Sequence, residues 1–160
     1  MEPRIVNRPE MTVAGISTRT TNAQEATGDG LIPKLWGAYY QRKSSSEGTH
    51  GQEPSVTYGV YTDYENKADG WYTMLIGEEA GRGQEADQDS TIITIPSATY
   101  AVFTSKQGPV ASVVPETWQQ VWEWDEQHGK RAFTGDFERY DERSADPMNA
   151  IVEIYVAIKE

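Results

Sequence analysis

The sequence predicts an α+β fold in which two strand-helix-strand-strand units form one antiparallel sheet, with both helices on one face and a ligand cleft at the centre. Three observations predict it. Strand-length runs of β-branched and aromatic residues alternate with two amphipathic helical stretches, the two stretches share a motif, and turn residues separate the runs. We expect a single domain over residues 1–160, because a chain of this length buries about two-thirds of its unfolded surface.

The first unit is predicted from three segments. Residues 13–20 are β-branched and bounded by polar residues, which indicates a strand. Residues 32–40 carry apolar side chains at helical spacing, and Pro33 suits the first helical turn, where its missing N–H costs nothing. Residues 56–65 and 71–77 are strand-like on either side of a turn, so a hairpin is expected there.

The second unit follows an acidic, glycine-rich connector at residues 78–90. Residues 91–106 form the strongest strand signal in the chain, with a break expected at Pro96. A second helix is predicted over residues 115–127, with Pro115 in its first turn and Gly129 ending it. Residues 136–141 and 150–159 complete the predicted sheet.

An internal repeat relates the two units. The letters IPxxW at residues 32–36 recur as VPxxW at residues 114–118, and the same offset places residues 71–77 on residues 153–159. The pattern predicts a duplication with halves at about residues 1–80 and 88–160. We expect the cleft between these halves on the face of the sheet opposite the helices.

Composition limits the classes of function. The net charge of −11 and pI near 4.6 argue against direct binding to nucleic acid or to anionic membranes. The chain has no cysteine, and its two histidines, His50 and His128, lie far apart, so neither a metal site nor another cofactor is expected. No apolar run is long enough for a membrane span or a signal peptide, which predicts a cytoplasmic location.

The last predicted strand contains a carboxylate among apolar residues. Side chains alternate between the faces of a strand, so the apolar even-numbered residues of 152–158 should meet the helices. Glu153 and Tyr155 then share the opposite face. A carboxylate in apolar surroundings is costly unless it is paired, so Glu153 is either exposed on an outer face or the anionic anchor of an aromatic cleft. A cation over each ring would add about 0.5–2 kcal/mol.

Aromatic residues are abundant enough to line such a cleft. The helical tryptophans equally suit the hydrophobic core, which leaves both interpretations open. Trp71 occupies in the first half the position that Glu153 occupies in the second. The candidate ligand-binding residues are Glu153, Tyr155, Trp71, Trp36, Tyr61, Tyr40, Trp118 and Trp122.

These landmarks together resemble the GyrI-like family, the effector-binding domain of AraC- and MerR-type multidrug regulators. The resemblance implies two pseudo-twofold units around a central pocket, and a last-strand glutamate, here Glu153, that contacts lipophilic cations. Stand-alone members resemble integron-borne drug-binding cassette proteins. The matching segments in this chain are IPKLW at 32–36, VYTDYE at 60–65, IPSATYAVF at 95–103, WQQVW at 118–122, DFERY at 136–140 and VEIYVAI at 152–158.

The function predicted first is the binding of lipophilic cationic small molecules. Two alternatives stay open. The resemblance also extends to hydrolases of cyclopropane-type toxins, in which Glu153 would act as a base with Tyr61 or Tyr155 as hydrogen-bond donor. A third hypothesis is an inhibitor that binds a topoisomerase. We expect no helix-turn-helix before the domain, so a separate regulatory protein is a candidate partner.

Overall fold

A computed structural model of the chain describes residues 3–25, 30–45, 56–65, 70–79, 91–144, 146 and 148–159, without the side chains of residues 40 and 42–45. The strands form one antiparallel eight-stranded sheet, which confirms the predicted α+β class. No helix in these ranges is long and apolar enough to cross a membrane. The strands are β1 (Arg4–Arg8), β2 (Met11–Thr20), β3 (Thr57–Thr62), β4 (Tyr72–Glu79), β5 (Thr91–Ile95), β6 (Ala98–Thr104), β7 (Asp136–Tyr140) and β8 (Glu153–Ala157), and the helices are α1 (Asn22–Glu25), α2 (Ile32–Ser45) and α3 (Val110–His128), with a 3₁₀ turn at Glu142–Ser144.

The order of the strands reflects the duplication. The sheet runs β1-β6-β8-β7-β3-β4-β2-β5, so equivalent strands lie at equal distances from the central β7–β3 pair. One unit contains β2, α2, β3 and β4, and the other contains β6, α3, β7 and β8. The strands β1 and β5 are exchanged between the units, because β1 pairs with β6 and β5 pairs with β2. The duplicated strand-helix-strand-strand arrangement is therefore confirmed, while the division near residues 80–88 stays a prediction.

The two helices pack on the same face of the sheet. Leu35 and Tyr39 of α2 form a buried hydrophobic cluster together with Met74 and Ile76 of β4. The helix α3 contributes Val121 to a separate cluster with β6 and β8, which contains Phe103, Ile154 and Val156. The even-numbered side chains of β8 meet α3, as strand alternation predicted.

The face opposite the helices, where a cleft was expected, carries a packed cluster of side chains, and the two cavities described below lie on the helix face. Buried residues from both units, including Val13, Val60 and Tyr100, form one continuous cluster on this face. The rings of Phe137 and Tyr155 stack in it, with their centroids 4.6 Å apart. Large aromatic side chains therefore contribute to a second hydrophobic layer on this face.

Element boundaries differ from the prediction mainly around α3. This helix begins at Val110, with Pro109 as its N-cap, so Pro115 lies inside the helix and not in its first turn. Gly129 ends α3 in the left-handed conformation with φ of 61°, as predicted. The break at Pro96 is confirmed, and β1 is a strand that the sequence did not predict. The predicted hairpin forms between β3 and β4, while most of its turn and most of the 78–90 connector lie outside the described residues.

Candidate interhelical binding site

A two-lobed cleft opens on the helix face of the sheet, between α2 and α3. Its smaller lobe has a volume of about 550 Å³ and its larger lobe about 790 Å³. Both lobes share walls made by residues 32–33 of α2 and residues 114–115 of α3, and both share Tyr61 and Glu138. The repeated Ile-Pro and Val-Pro motifs therefore line the same interhelical cleft.

The cleft arises from the width of a helix relative to the spacing of strands. Strands lie about 4.8 Å apart and a helix with its side chains is about 10 Å across, so one helix covers roughly two strands. The helix α2 packs on β2 and β4, and α3 packs on β6 and β8. The central strands β3 and β7 are left between them, and their helix-side residues form the floor of the cleft.

Glu138 of β7 is the buried carboxylate of this floor. It is only 2% exposed, and it accepts hydrogen bonds from the Tyr61 hydroxyl at 2.7 Å, the Trp118 indole N–H at 2.6 Å and the Tyr140 hydroxyl at 2.6 Å. Burial raises the pKa of Glu138, and the three hydrogen bonds oppose that effect in part. None of the ion pairs among the described residues includes Glu138. Its hydrogen-bond donors are neutral, so its negative charge has no paired cation there.

Glu153 lies on the other side of the sheet. Its carboxylate is buried beside three guanidinium groups, those of Arg143 at 3.0 Å, Arg4 at 3.2 Å and Arg139 at 3.8 Å. It lines neither lobe of the cleft. Strand alternation assigned Glu153 correctly to the face away from the helices, but the cleft lies on the helix face. The structure therefore does not place Glu153 at the floor of the cleft, where we had expected it.

The predicted aromatic residues divide between the cleft and other places. Tyr155 belongs to the cluster on the opposite face, and Trp71 precedes β4, is 44% exposed and lines neither lobe. The side chain of Tyr40 lies outside the described part of the structure. Four predicted residues do line the cleft: Tyr61, Trp118, Trp122 and Trp36, with Trp122 in the smaller lobe and Trp36 in the larger.

A buried ion pair lies beside Glu138. Arg131, which lines the smaller lobe, donates a hydrogen bond to Asp136 at 2.7 Å, and the two side chains are 4% and 0% exposed. Asp136 also accepts hydrogen bonds from the Tyr64 hydroxyl and, at 2.8 Å, from the backbone N–H of Ala157. Asp136 thus compensates the positive charge of Arg131. Because Arg131 and Asp136 neutralise each other, the carboxylate of Glu138 is the charge on the floor that no described cation compensates.

Sequence reasoning missed Glu138, although a signal for it was present. In the strand DFERY, side chains alternate between faces, so Asp136, Glu138 and Tyr140 share one face. Two carboxylates and an aromatic ring on one face of a strand are the signal. Those residues face the helices in a strand at the centre of the sheet. Arg131 and Glu25 were also missed, and each lines the smaller lobe, as do the aromatic residues Tyr64 and Tyr72.

The chemistry of the cleft suits a non-covalently held guest. Aromatic faces and a desolvated carboxylate together attract a cation that carries apolar groups. In the described ranges, no three His, Asp or Glu side chains are grouped closely enough to hold a metal ion.

Comparison with known proteins agrees with this architecture. The model of a family described as the GyrI-like small molecule binding domain matches residues 1–159. The Bacillus subtilis (strain 168) protein named "Putative transcriptional regulator protein YobU" is 40% identical over 147 residues, which are 92% of this chain and 91% of the relative. An integron cassette protein from Vibrio cholerae superposes with a TM-score of 0.78 at 26% identity, over 99% of this chain and 96% of that one. SAV2435, solved bound to tetraphenylphosphonium, superposes with a TM-score of 0.77 at 22% identity, over 99% of this chain and 94% of that one.

Proposed function

This chain belongs to the GyrI-like family of small-molecule-binding domains, and from that membership we propose that its interhelical cleft binds lipophilic cations with Glu138 as the anionic anchor. The observation that carries the proposal is a buried carboxylate held by neutral donors inside an aromatic cleft. Removing such a charge from water is costly, and an entering cation offsets that cost.

The surrounding rings supply the rest of the binding free energy. Trp118 and Tyr61 each donate a hydrogen bond to Glu138, and their rings pack edge to face with centroids 5.2 Å apart. A cation that reaches the carboxylate therefore lies beside aromatic groups, which contribute about 0.5–2 kcal/mol for each ring face contacted. The tetraphenylphosphonium bound by SAV2435 is a guest of this chemical class.

The size of the cleft supports a drug-sized ligand. Each lobe lies within the range of about 300–1,000 Å³ that is typical of small-molecule sites. Because both lobes share Glu138, a charged centre at the carboxylate can extend one apolar arm into each lobe. The aromatic lining is permissive in shape, so we propose a broad range of cationic guests.

The role that the family resemblance assigned to Glu153 passes in this proposal to Glu138. Glu153 is surrounded by Arg4, Arg139 and Arg143, so a cationic ligand would have to displace a guanidinium group to reach it. Glu138 requires no such displacement. The two glutamates therefore form a matched pair for a test, since both are buried acids in neighbouring strands.

The test measures tetraphenylphosphonium binding by calorimetry to the wild type, Glu138→Gln and Glu153→Gln. Glutamine keeps the size and acceptor oxygen of glutamate but removes the charge. Close opposite charges across a binding interface are coupled by about 1.5 kcal/mol or more, so Glu138→Gln should weaken tetraphenylphosphonium binding by at least about tenfold while Glu153→Gln retains it. Triphenylphosphine oxide, a neutral aryl compound, should not distinguish Glu138→Gln from the wild type. Equal cation binding by Glu138→Gln and the wild type would overturn the anchor.

The name of the Bacillus subtilis relative supports an effector role for the bound cation. A net charge of −11 disfavours contact with DNA phosphates, so we propose that such a signal is passed to a separate DNA-binding protein. The hydrolase and topoisomerase hypotheses stay predictions.

A further inference from the structure

The smaller lobe contains a second carboxylate, that of Glu25 at the end of α1. Its oxygens accept hydrogen bonds from the Thr20 hydroxyl at 2.5 Å and from the backbone N–H groups of Leu31 and Ile32 at 2.8 and 3.1 Å. These contacts hold Glu25 between the end of β2 and the start of α2. These three donors are all neutral, and none of the ion pairs among the described residues includes Glu25.

Tyr72 of β4 is influenced by both carboxylates of this lobe. Burial raises the pKa of the Tyr72 hydroxyl, and the negative charges of Glu25 and Glu138 raise it further. The interaction between charges decreases with distance, so both glutamates act on the same region of the lobe. The cationic side chain lining this lobe in the described structure is Arg131, which is already paired with Asp136. The lobe therefore holds two carboxylates that no side-chain cation in the described residues pairs with.

The topology sets the separation of these two carboxylates. Glu138 lies on β7, and Glu25 is tied by its hydrogen bond to Thr20 at the end of β2. Three interstrand steps separate β7 from β2, which amounts to about 14 Å across the sheet. The register places Glu138 level with Ile16, and Thr20 lies four residues farther along β2, or about 13 Å along the strands. The ring of Tyr72 and the indole of Trp118 lie along the lobe between these strands and helices.

Building on the proposed function, we propose that the smaller lobe binds ligands with two positive groups at the ends of a rigid aromatic body. One cationic group contacts Glu138, the second contacts Glu25, and the aromatic body lies against Tyr72 and Trp118. Amidinium groups suit both ends, because they donate paired N–H groups to carboxylate oxygens.

The first experiment compares 4′,6-diamidino-2-phenylindole, which has two amidinium groups, with 2-phenylindole-6-carboxamidine, which has one. Fluorescence titration of the wild type should show at least tenfold tighter binding of the two-headed compound. In Glu25→Gln that advantage should disappear, while affinity for the single-headed compound is retained. Glutamine keeps one acceptor oxygen, so it can still accept the hydrogen bonds that the Thr20 hydroxyl and the Leu31 N–H donate to Oε2, and it loses the one that Ile32 donates to Oε1. Glu123→Gln is the matched control, because Glu123 is an exposed acid of α3 that lines neither lobe.

The outcomes separate this inference from the proposed function. Failure of wild type to bind either compound or tetraphenylphosphonium would contradict the proposed function itself. Binding of both compounds with equal affinity, or an equal loss for both in Glu25→Gln, would overturn the second anchor alone. A titration of wild type with linear aryl diamines of increasing length needs no substitution, and affinity should pass through a maximum at the one length that lets the two charges reach both carboxylates. A flat dependence on length would equally overturn the inference.

Discussion

Replacing Asp136 by asparagine should both destabilise the protein and reduce its affinity for cations. Asp136 is fully buried and compensates Arg131, which lines the smaller lobe. Asparagine keeps the shape of the side chain and can still accept the hydrogen bond from the N–H of Ala157. What it removes is the negative charge 2.7 Å from the guanidinium group, which leaves a buried positive charge at the wall of the cleft.

The expected magnitude follows from the burial of the pair. Breaking a buried ion pair by neutralising one partner costs about 3–5 kcal/mol, because the remaining charge stays desolvated. A stacked ring reduces this cost only in part: the Arg131 guanidinium lies 4.2 Å from the centroid of Phe133, and such a contact contributes about 0.5–2 kcal/mol. We therefore expect a loss of about 1–4.5 kcal/mol in the free energy of unfolding.

Urea denaturation followed by tryptophan fluorescence measures this loss. The double variant Arg131→Met with Asp136→Asn removes both charges and should recover most of the stability, since a buried pair replaced by neutral groups is often close to neutral in free energy. Tetraphenylphosphonium should bind Asp136→Asn more weakly than the double variant. A loss below about 1 kcal/mol for Asp136→Asn, with unchanged cation affinity, would refute the view that the pair is desolvated and that Arg131 acts on the cleft.

The remaining predictions concern pH and backbone packing. Burial raises the pKa of Glu138, and a bound cation favours its charged form, so tetraphenylphosphonium affinity should fall as the pH decreases through that raised pKa. Glu138→Gln should show a flat profile in calorimetry between about pH 8 and pH 4, and an equally flat wild type would contradict the assignment. Gly77→Ala should cost on the order of 3 kcal/mol in thermal unfolding, because an added Cβ would overlap the backbone carbonyl of Ala14 in the neighbouring strand. Gly37→Ala is the control, since nothing lies near its Cβ position, and a similar loss in both variants would contradict the packing argument.

Local sequence patterns predicted most of the elements. The alternation and β-branched content of residues 91–106 identified two strands, and Pro96 located the break between them, because proline cannot donate to the strand ladder. The position of α3 was less well predicted. Pro115 has the features of a helix start, yet the helix begins earlier, at Val110 after Pro109, and Pro115 lies in its second turn on the side that lines the cleft.

The site was predicted in type but not in position. A buried glutamate among aromatic rings was expected, and strand alternation correctly assigned Glu153 to the face away from the helices. Alternation gives only the relative face of each side chain. It cannot show that Arg4, more than a hundred residues earlier in the chain, pairs with Glu153, or that Trp118 donates to Glu138.

The sequence by itself determined the duplicated α+β architecture, the antiparallel pairing and the acidic, aromatic character of the chain, since these depend on periodicity and composition. Only the tertiary structure decided which buried glutamate faces the cleft. That outcome depends on which strands the two helices leave uncovered and on which arginines the folded chain brings beside each acid. A glutamate paired with guanidinium groups has its charge compensated within the fold, whereas one held by neutral donors keeps a charge that a ligand can use.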